Sequence, residues 1–401
     1  MINGNNNEAA RENKGAIHVV SRRDFILLLG AAMGSAALAG CSGGSSSKDD
    51  ASSAGDAKQE EPVTVVDFDG KEVAVPADVS RIGALLGNSF PQIFFLGGAP
   101  KVAVRMDMKD TEWVKVVCPE FDGYGIKSIE NPRDPNVEDL IAEEVDLVFY
   151  WGGLDDQVKR MNDVGIPVVV SNPSVTDFKT TAEWRDLIEE EMMLYADVLG
   201  AESEDKAQEW HDYVDEKIAY IEAKTKNLTG ADRKRVYFMR NQEDGLQCFA
   251  SSSYPKVLVQ LAGGELVSGD VDTKGSGFTT VTMEDIIGWD LEIVFTGWTG
   301  KTDVILDNEQ WAPTSAVKNK QVFLTPCSLN STFWDYCSES PLEMLYLAKT
   351  IHPELFGDLD VVREVQEFYK KFYDTNITEK QAQNMLERKG PNDESASSLK
   401  L

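Results

Sequence analysis

Glu138-Asp139-Leu140-Ile141, followed by Val148-Phe149-Tyr150-Trp151-Gly152, is matched further on by Glu284-Asp285-Ile286-Ile287, followed by Val294-Phe295-Thr296-Gly297-Trp298. Eleven residues lead from the Glu to the Phe in both copies. Each copy reads as a short helix, a turn, and a buried strand whose carboxyl end carries Trp and Gly. The bland alternative is coincidence within common helix–strand grammar. Around the first copy, short apolar runs at Ile82–Leu86, Val102–Arg105, Leu147–Tyr150 and Val168–Val170 alternate with helical patterns. Around the second lie Val236–Met239, Ile293–Thr296 and Val322–Thr325, with Gly263-Gly264 before Glu265-Leu266-Val267. Such alternation predicts parallel α/β sheets, one per series. A hairpin, Val63–Phe68 and Lys71–Pro76 about Asp69-Gly70, opens the folded part.

Between the two series lies a charged helical region, Thr181–Asn227. Trp210, Val214, Ile218 and Ile221 recur there at helical spacing, and no Gly or Pro interrupts Ala201–Lys226. The expectation is a helix stiff enough to act as a spine between two lobes. The acid run Glu189-Glu190-Glu191 reads as a solvated helix face.

The chain has 401 residues, too many for one ordinary domain, and 42% of them are hydrophobic, enough to bury real cores. A net charge of -29 opposes nucleic-acid binding, which needs clustered Lys and Arg to neutralise phosphate. Only three His are present. His211 falls in the spine and His352 in a helix near its Pro stop, so both read as structural or surface residues and no metal site is expected. Cys118, Cys248, Cys327 and Cys337 show no C-x-x-C spacing. A Cys327–Cys337 disulfide remains open on spacing alone. Hydrolase, NTPase and dinucleotide motifs are absent, so an enzyme is not expected and no cofactor is implied.

Ser21-Arg22-Arg23-Asp24-Phe25-Ile26 leads into an uncharged run to Ala39, which suits a signal-peptide core and is short for a membrane span. The paired Arg resembles a twin-arginine export signal. Leu38-Ala39-Gly40-Cys41 resembles a bacterial lipobox, with Cys41 as the lipidated first residue of the mature chain. The expected organisation is a signal peptide over 1–40, a flexible tether over 41–62, an α/β lobe over 63–180, and a helical region over 181–230. A second α/β lobe follows over 231–389, with a loose tail over 390–401. This places the protein at the cell membrane, lipid-anchored on its extracytoplasmic face.

The hairpin Val63–Pro76 followed by Val79-Ser80-Arg81-Ile82, then Asn136-Val137-Glu138-Asp139-Leu140 before Asp146-Leu147-Val148-Phe149, resembles the iron-siderophore/vitamin B12 class of ABC-transporter solute-binding proteins. So does Pro341-Leu342-Glu343-Met344-Leu345 leading to Ala348-Lys349-Thr350-Ile351-His352-Pro353-Glu354-Leu355-Phe356. The resemblance covers roughly residues 63–375. Two segments, Lys127–Pro135 and Ser328–Asp335, look longer than the family norm. What the resemblance implies is an α/β fold of two parallel-sheet lobes joined by a long α-helix, with a ligand cleft between them. It implies no chemistry: the protein would capture a ferric-siderophore-like iron complex and pass it to an ABC permease dimer. A corrinoid or haem ligand stands as the alternative, with Tyr336 or Tyr124 as an axial oxygen. An anchored exported enzyme or redox partner is the alternative from another class.

Open α/β sheets bind ligands outside their strand carboxyl ends. That rule selects Asn88, Ser89 and Trp151 in the first lobe. In the second it selects Arg240, Phe278, Trp298, and the loop with Trp334 and Tyr336. The resemblance adds weight to Trp151, Arg240, Phe278 and the Trp334–Tyr336 loop. Each has a bland reading: core or hinge packing for Trp151 and Trp298, a mobile turn for Phe278, pairing with Glu243 or Asp244 for Arg240, and a helix cap for Asn88. For docking, the resemblance points to one surface acid per lobe, Glu138 and Glu284, against a bland reading as helix-start charges.

Overall fold

A computed structural model describes residues 63–106, 112–173, 177–240, 244–273, 277–297, 301–329 and 338–393. The signal peptide and tether with Cys41, together with Trp298, Trp334, Tyr336, Cys337 and most of the tail, lie outside them.

The first lobe contains the hairpin β1 (Val63–Val66) and β2 (Glu72–Val75), then β3 (Ile82–Ala84), α1 (Ser89–Phe95), β4 (Val102–Met106) and α2 (Trp113–Val117). It continues through β5 (Lys127–Ile129), α3 (Val137–Ala142), β6 (Leu147–Trp151), α4 (Asp155–Asp163) and β7 (Val168–Asn172). Two helices follow, α5 (Thr181–Leu199) and α6 (Ala201–Thr225). The second lobe has β8 (Lys234–Phe238), β9 (Gln247–Phe249), α7 (Tyr254–Leu261), β10 (Gly264–Leu266), β11 (Phe278–Thr280), α8 (Met283–Gly288) and β12 (Ile293–Phe295). After α9 (Asp303–Leu306), α10 (Ser315–Lys318) and β13 (Val322–Phe323) come α11 (Ser340–Ile351), α12 (Val361–Tyr373) and α13 (Glu379–Leu386).

Two parallel sheets result, with orders β5-β4-β3-β6-β7 and β10-β8-β12-β13. The β1–β2 hairpin lies against the edge strand β7, with the Phe68 N–H donating to Val170 O at 2.9 Å. It thereby blunts an exposed sheet edge.

The sequence repeat is structural down to single hydrogen bonds. Helices α3 and α8 each bury their fourth residue, Leu140 and Ile286, and each is followed by a residue with positive φ, Glu144 at 52° and Asp290 at 47°. Beyond them an acid caps the neighbouring strand's entry: Asp146 accepts from Arg81 N, and Glu292 from Arg235 N. Arg81 and Arg235 in turn donate through Nε to the Glu143 and Asp290 carbonyls. Coincidence does not reproduce such a clamp twice.

The spine differs from the expectation. The long helix is present as α6, but it is one arm of a hairpin with α5, turned at Gly200 (φ 109°, ψ 179°). Arg185 pairs with Asp215 at 2.5 Å and His211 with Glu189 at 3.0 Å across the two arms. The apolar core is continuous through both lobes. Helix α12, which follows the second sheet in sequence, packs back on the first lobe, with Phe372 5.5 Å from Phe95, and the Trp210 indole of α6 donates to Ser338 O just before α11 at 2.7 Å.

Candidate ligand site at the two switch points

In the first sheet the chain winds outward from β3 through β4 to β5, then crosses to the other side of β3 for β6 and β7. In the second it goes from β8 to β10, then crosses to β12 and β13. Each reversal opens a crevice at strand carboxyl ends, between β3 and β6 and between β8 and β12.

Trp151 ends β6 at the first crevice and is half-buried. The Arg133 guanidinium lies over its ring, 4.7 Å from the centroid. Arg133 comes from the segment after β5. Beside Trp151, the buried Tyr150 hydroxyl has no hydrogen-bond partner among the described residues, and burial pushes its pKa up to about 12.

Arg240 follows β8 at the second crevice. Its guanidinium lies 3.9 Å from the centroid of the Phe278 ring, and Nη1 donates to Gln247 Oε1 at 3.0 Å. The antiparallel ribbon β9–β11 makes this possible, because it brings Phe278 opposite Phe249 and Thr280 opposite Gln247. Two residues chosen from sequence thus meet. Gln247 occupies the role expected of Asp244; Glu243 lies outside the described residues. Gly297 follows β12 with φ +52°, and a Cβ there would fall 1.9 Å from Met239 O, so only glycine lets the ends of β8 and β12 touch.

Asn88 and Ser89 turn inward, against both the ligand and the cap reading. The Ser89 hydroxyl donates to Leu86 O at 2.7 Å, and Asn88 makes no side-chain cap. Asn88 Nδ2 donates instead to Glu191 Oε2 at 2.8 Å, joined by Gln92 Nε2 at 3.0 Å, while Asn172 Nδ2 donates to Oε1 at 2.6 Å. Glu191 is fully buried, which corrects its reading as a solvated acid. The signal was present in the stripe Trp184, Ile188, Met192, Tyr195, all buried, whose face also contains position 191. This amide-and-carboxylate cluster forms a polar floor beneath the first crevice.

The second crevice has a different support. Arg388, buried just after α13, donates through Nη1 to Gly297 O at 3.1 Å and to Thr325 O and Oγ1 at 3.2 and 3.0 Å. Neighbouring Lys389 accepts a bond from the Trp113 indole of the first lobe at 2.9 Å. Glu343 is fully buried nearby with no hydrogen bond to either oxygen among the described residues, and burial pushes its pKa up to about 8.

Other candidates fall elsewhere. Tyr124 donates to Glu120 and lines a groove of about 610 Å³ with Phe94, Pro100 and Lys206. That groove includes residues just before β4 and β5, at the opposite ends of the strands, so Tyr124 is no axial ligand for a cleft-bound tetrapyrrole. His352 bonds Glu354 Oε1 and Gly263 O, in the interior. Cys118, Cys248 and Cys327 are free thiols. Glu138 and Glu284 are exposed in the first turns of α3 and α8.

Each lobe thus presents a half-site at its strand carboxyl ends, an arginine on an aromatic ring. The chain belongs to the periplasmic binding protein family, whose model matches residues 48–329. Members are solute-binding components of ABC importers and work outside the cytoplasm with a permease; they are not enzymes. Among curated relatives, the molybdate-binding protein MolA of Haemophilus influenzae is 26% identical over 280 residues, covering 65% of this chain and 75% of MolA. The iron(3+)-hydroxamate-binding protein FhuD of Bacillus subtilis is 24% identical over 286 residues, covering 68% and 81%. The structure of molybdate-bound MolA shares the fold at a TM-score of 0.66 and 21% identity, covering 79% of this chain and 99% of that one. That of CeuE from Helicobacter pylori with Ni(II) bound does so at 0.65 and 22%, covering 81% and 99%.

Proposed function

We propose that this protein captures an anionic, ferric-siderophore-like iron complex. The observation that carries the reading is the guanidinium on an aromatic face at each switch point, Arg133 on Trp151 and Arg240 on Phe278. A ring beneath an Arg fixes the plane of its fork and partly desolvates it, which suits carboxylate, hydroxamate or oxo oxygens. The FhuD relative supports an iron chelate. A haem or corrinoid is less suited, because Arg133 already covers the Trp151 face on which a tetrapyrrole would stack.

MolA favours a second reading, in which the same two arginines grip a molybdate-like oxyanion. A thermal-shift panel of ferric hydroxamate, ferric catecholate, molybdate, haem and cobalamin separates these, since a ligand of the native state raises the melting temperature by mass action. A rise with a ferric chelate, reduced at least ~10-fold in affinity by Arg240→Gln, is the expected outcome. A rise with molybdate alone replaces the iron reading by the oxyanion one, and silence across the panel overturns both.

For delivery, Glu138 and Glu284 are proposed as the paired acids that meet the two permease subunits. Cys41 is proposed as the lipid anchor. Cys41→Ala is expected to move the protein from the membrane to the soluble fraction, and retention after a high-salt wash would exclude the lipobox.

A further inference from the structure

We infer that docking rests on an apolar contact in each lobe, Ile141 and Ile287, set one turn beyond Glu138 and Glu284; the inference builds on the importer reading above. Among the described residues only four large hydrophobic side chains are exposed: Ile141 at 51%, Val164 at 44%, Ile287 at 52% and Leu306 at 42%. A single exposed Ile needs no explanation. These two are different because they occupy the same place in each lobe. Each is the fifth residue of a six-residue helix, follows a fully buried neighbour (Leu140, Ile286), and stands three residues after an exposed Glu on one helix face. The Arg81 and Arg235 bonds tie the chain just after each helix to the start of β3 and to β8, respectively.

An acid and an isoleucine presented twice by pseudo-equivalent helices match a partner with twofold symmetry, each half offering a basic residue beside an apolar socket. A permease dimer has that form. Division of labour follows from the chemistry. Exposed acids steer encounter and lose effect in salt, whereas desolvated apolar anchors govern how long a complex lasts.

The test uses the purified protein, without added ligand, and its cognate permease–ATPase complex in nanodiscs, read by surface plasmon resonance at low and high salt. The Ile141→Ser, Ile287→Ser double variant is expected to dissociate ~10-fold faster or more at both salt concentrations. Its melting temperature and its response to the ligand panel should be unchanged. Glu138→Gln with Glu284→Gln should instead slow association, chiefly at low salt. Dissociation of the Ile double variant at the wild-type rate overturns the apolar contact while leaving the importer reading intact. Failure of the wild-type protein to bind the complex at all, with or without the panel ligands, removes the importer reading itself. A concentration-dependent dimer of the wild type in sedimentation, abolished in the Ile double variant, makes a second copy the occupant and overturns the inference.

Discussion

Burial lifts the Glu191 carboxyl to about 8, although amides of Asn172, Gln92 and Asn88 donate to it and favour its charged form. A native carboxyl with a raised pKa keeps its proton after the unfolded chain has lost its own. Its contribution to stability is therefore whole below the ordinary value of 4.5 and drains away as pH climbs toward about 8. Glu191→Gln is expected to match wild type near pH 4.5 and to melt higher than wild type above pH 8, in melting curves taken across that range. A variant that melts lower at every pH would mean that the charged carboxylate is needed to hold the amides together. At this scale the sequence disclosed what sits on strand ends, because the rule for parallel sheets needs only the strand and its direction. Trp151 and Arg240 follow from that rule, whereas Phe278 opens β11 and meets Arg240 through the β9–β11 ribbon. Arg133 and Arg388 were not legible: the first reaches Trp151 from a loop 18 positions earlier and the second lies 63 positions beyond its Thr325 partner, distances no local pattern encodes.

Among the elements, the α5–α6 hairpin carries the chain from the first lobe to the second. One helix bends at modest cost, but two antiparallel arms tied by Arg185–Asp215 and Glu189–His211 resist bending together. The turn depends on Gly200, whose φ of 109° and ψ of 179° are outside the range of side-chain-bearing residues even though a Cβ would meet nothing within 4 Å. The expected effect of Gly200→Ala is therefore strain alone, about 1–3 kcal/mol, seen as a lower denaturant midpoint with unchanged slope. A loss within experimental error would show that the turn relaxes without cost. Element reading from sequence succeeded where patterns were long. The stripe Trp210, Val214, Ile218 and Ile221 gave α6, and apolar runs gave the central strands. It missed β5, β9 and β11, three residues each, which are too short for alternation and owe their existence to pairing partners.

Across the whole molecule, the segment from Met385 to Lys389 joins what the sheets leave apart. Cys327 N donates to Met385 O, Arg388 binds the ends of β12 and β13, and Trp113 of the first lobe donates to Lys389 O. Arg388→Met would leave Thr325 O without this partner, Gly297 O with only the Thr325 hydroxyl at 3.0 Å, and the buried Glu343 without a nearby cation. The expected cost is about 3–5 kcal/mol in chemical denaturation. The ligand-panel response of any folded fraction should be weakened as well, since Gly297 borders the second crevice. Full stability in this variant would mean that the segment is a passenger. Two lobes were legible from the repeat. Their common core was not, because the helices that create it follow the second sheet in sequence and turn back to the first.

The Trp113–Lys389 bond spans 276 positions. On a ribosome adding ~5–20 residues per second, roughly 14–55 s pass between the synthesis of that indole and the appearance of its carbonyl partner. The last strand of the second sheet, β13, is made 66 residues before Lys389, so even a complete pair of sheets still lacks this bond. Birth order thus makes this bond one of the last to form, and a message cut short before codon 389 yields a chain that lacks it, although its first lobe is fully translated.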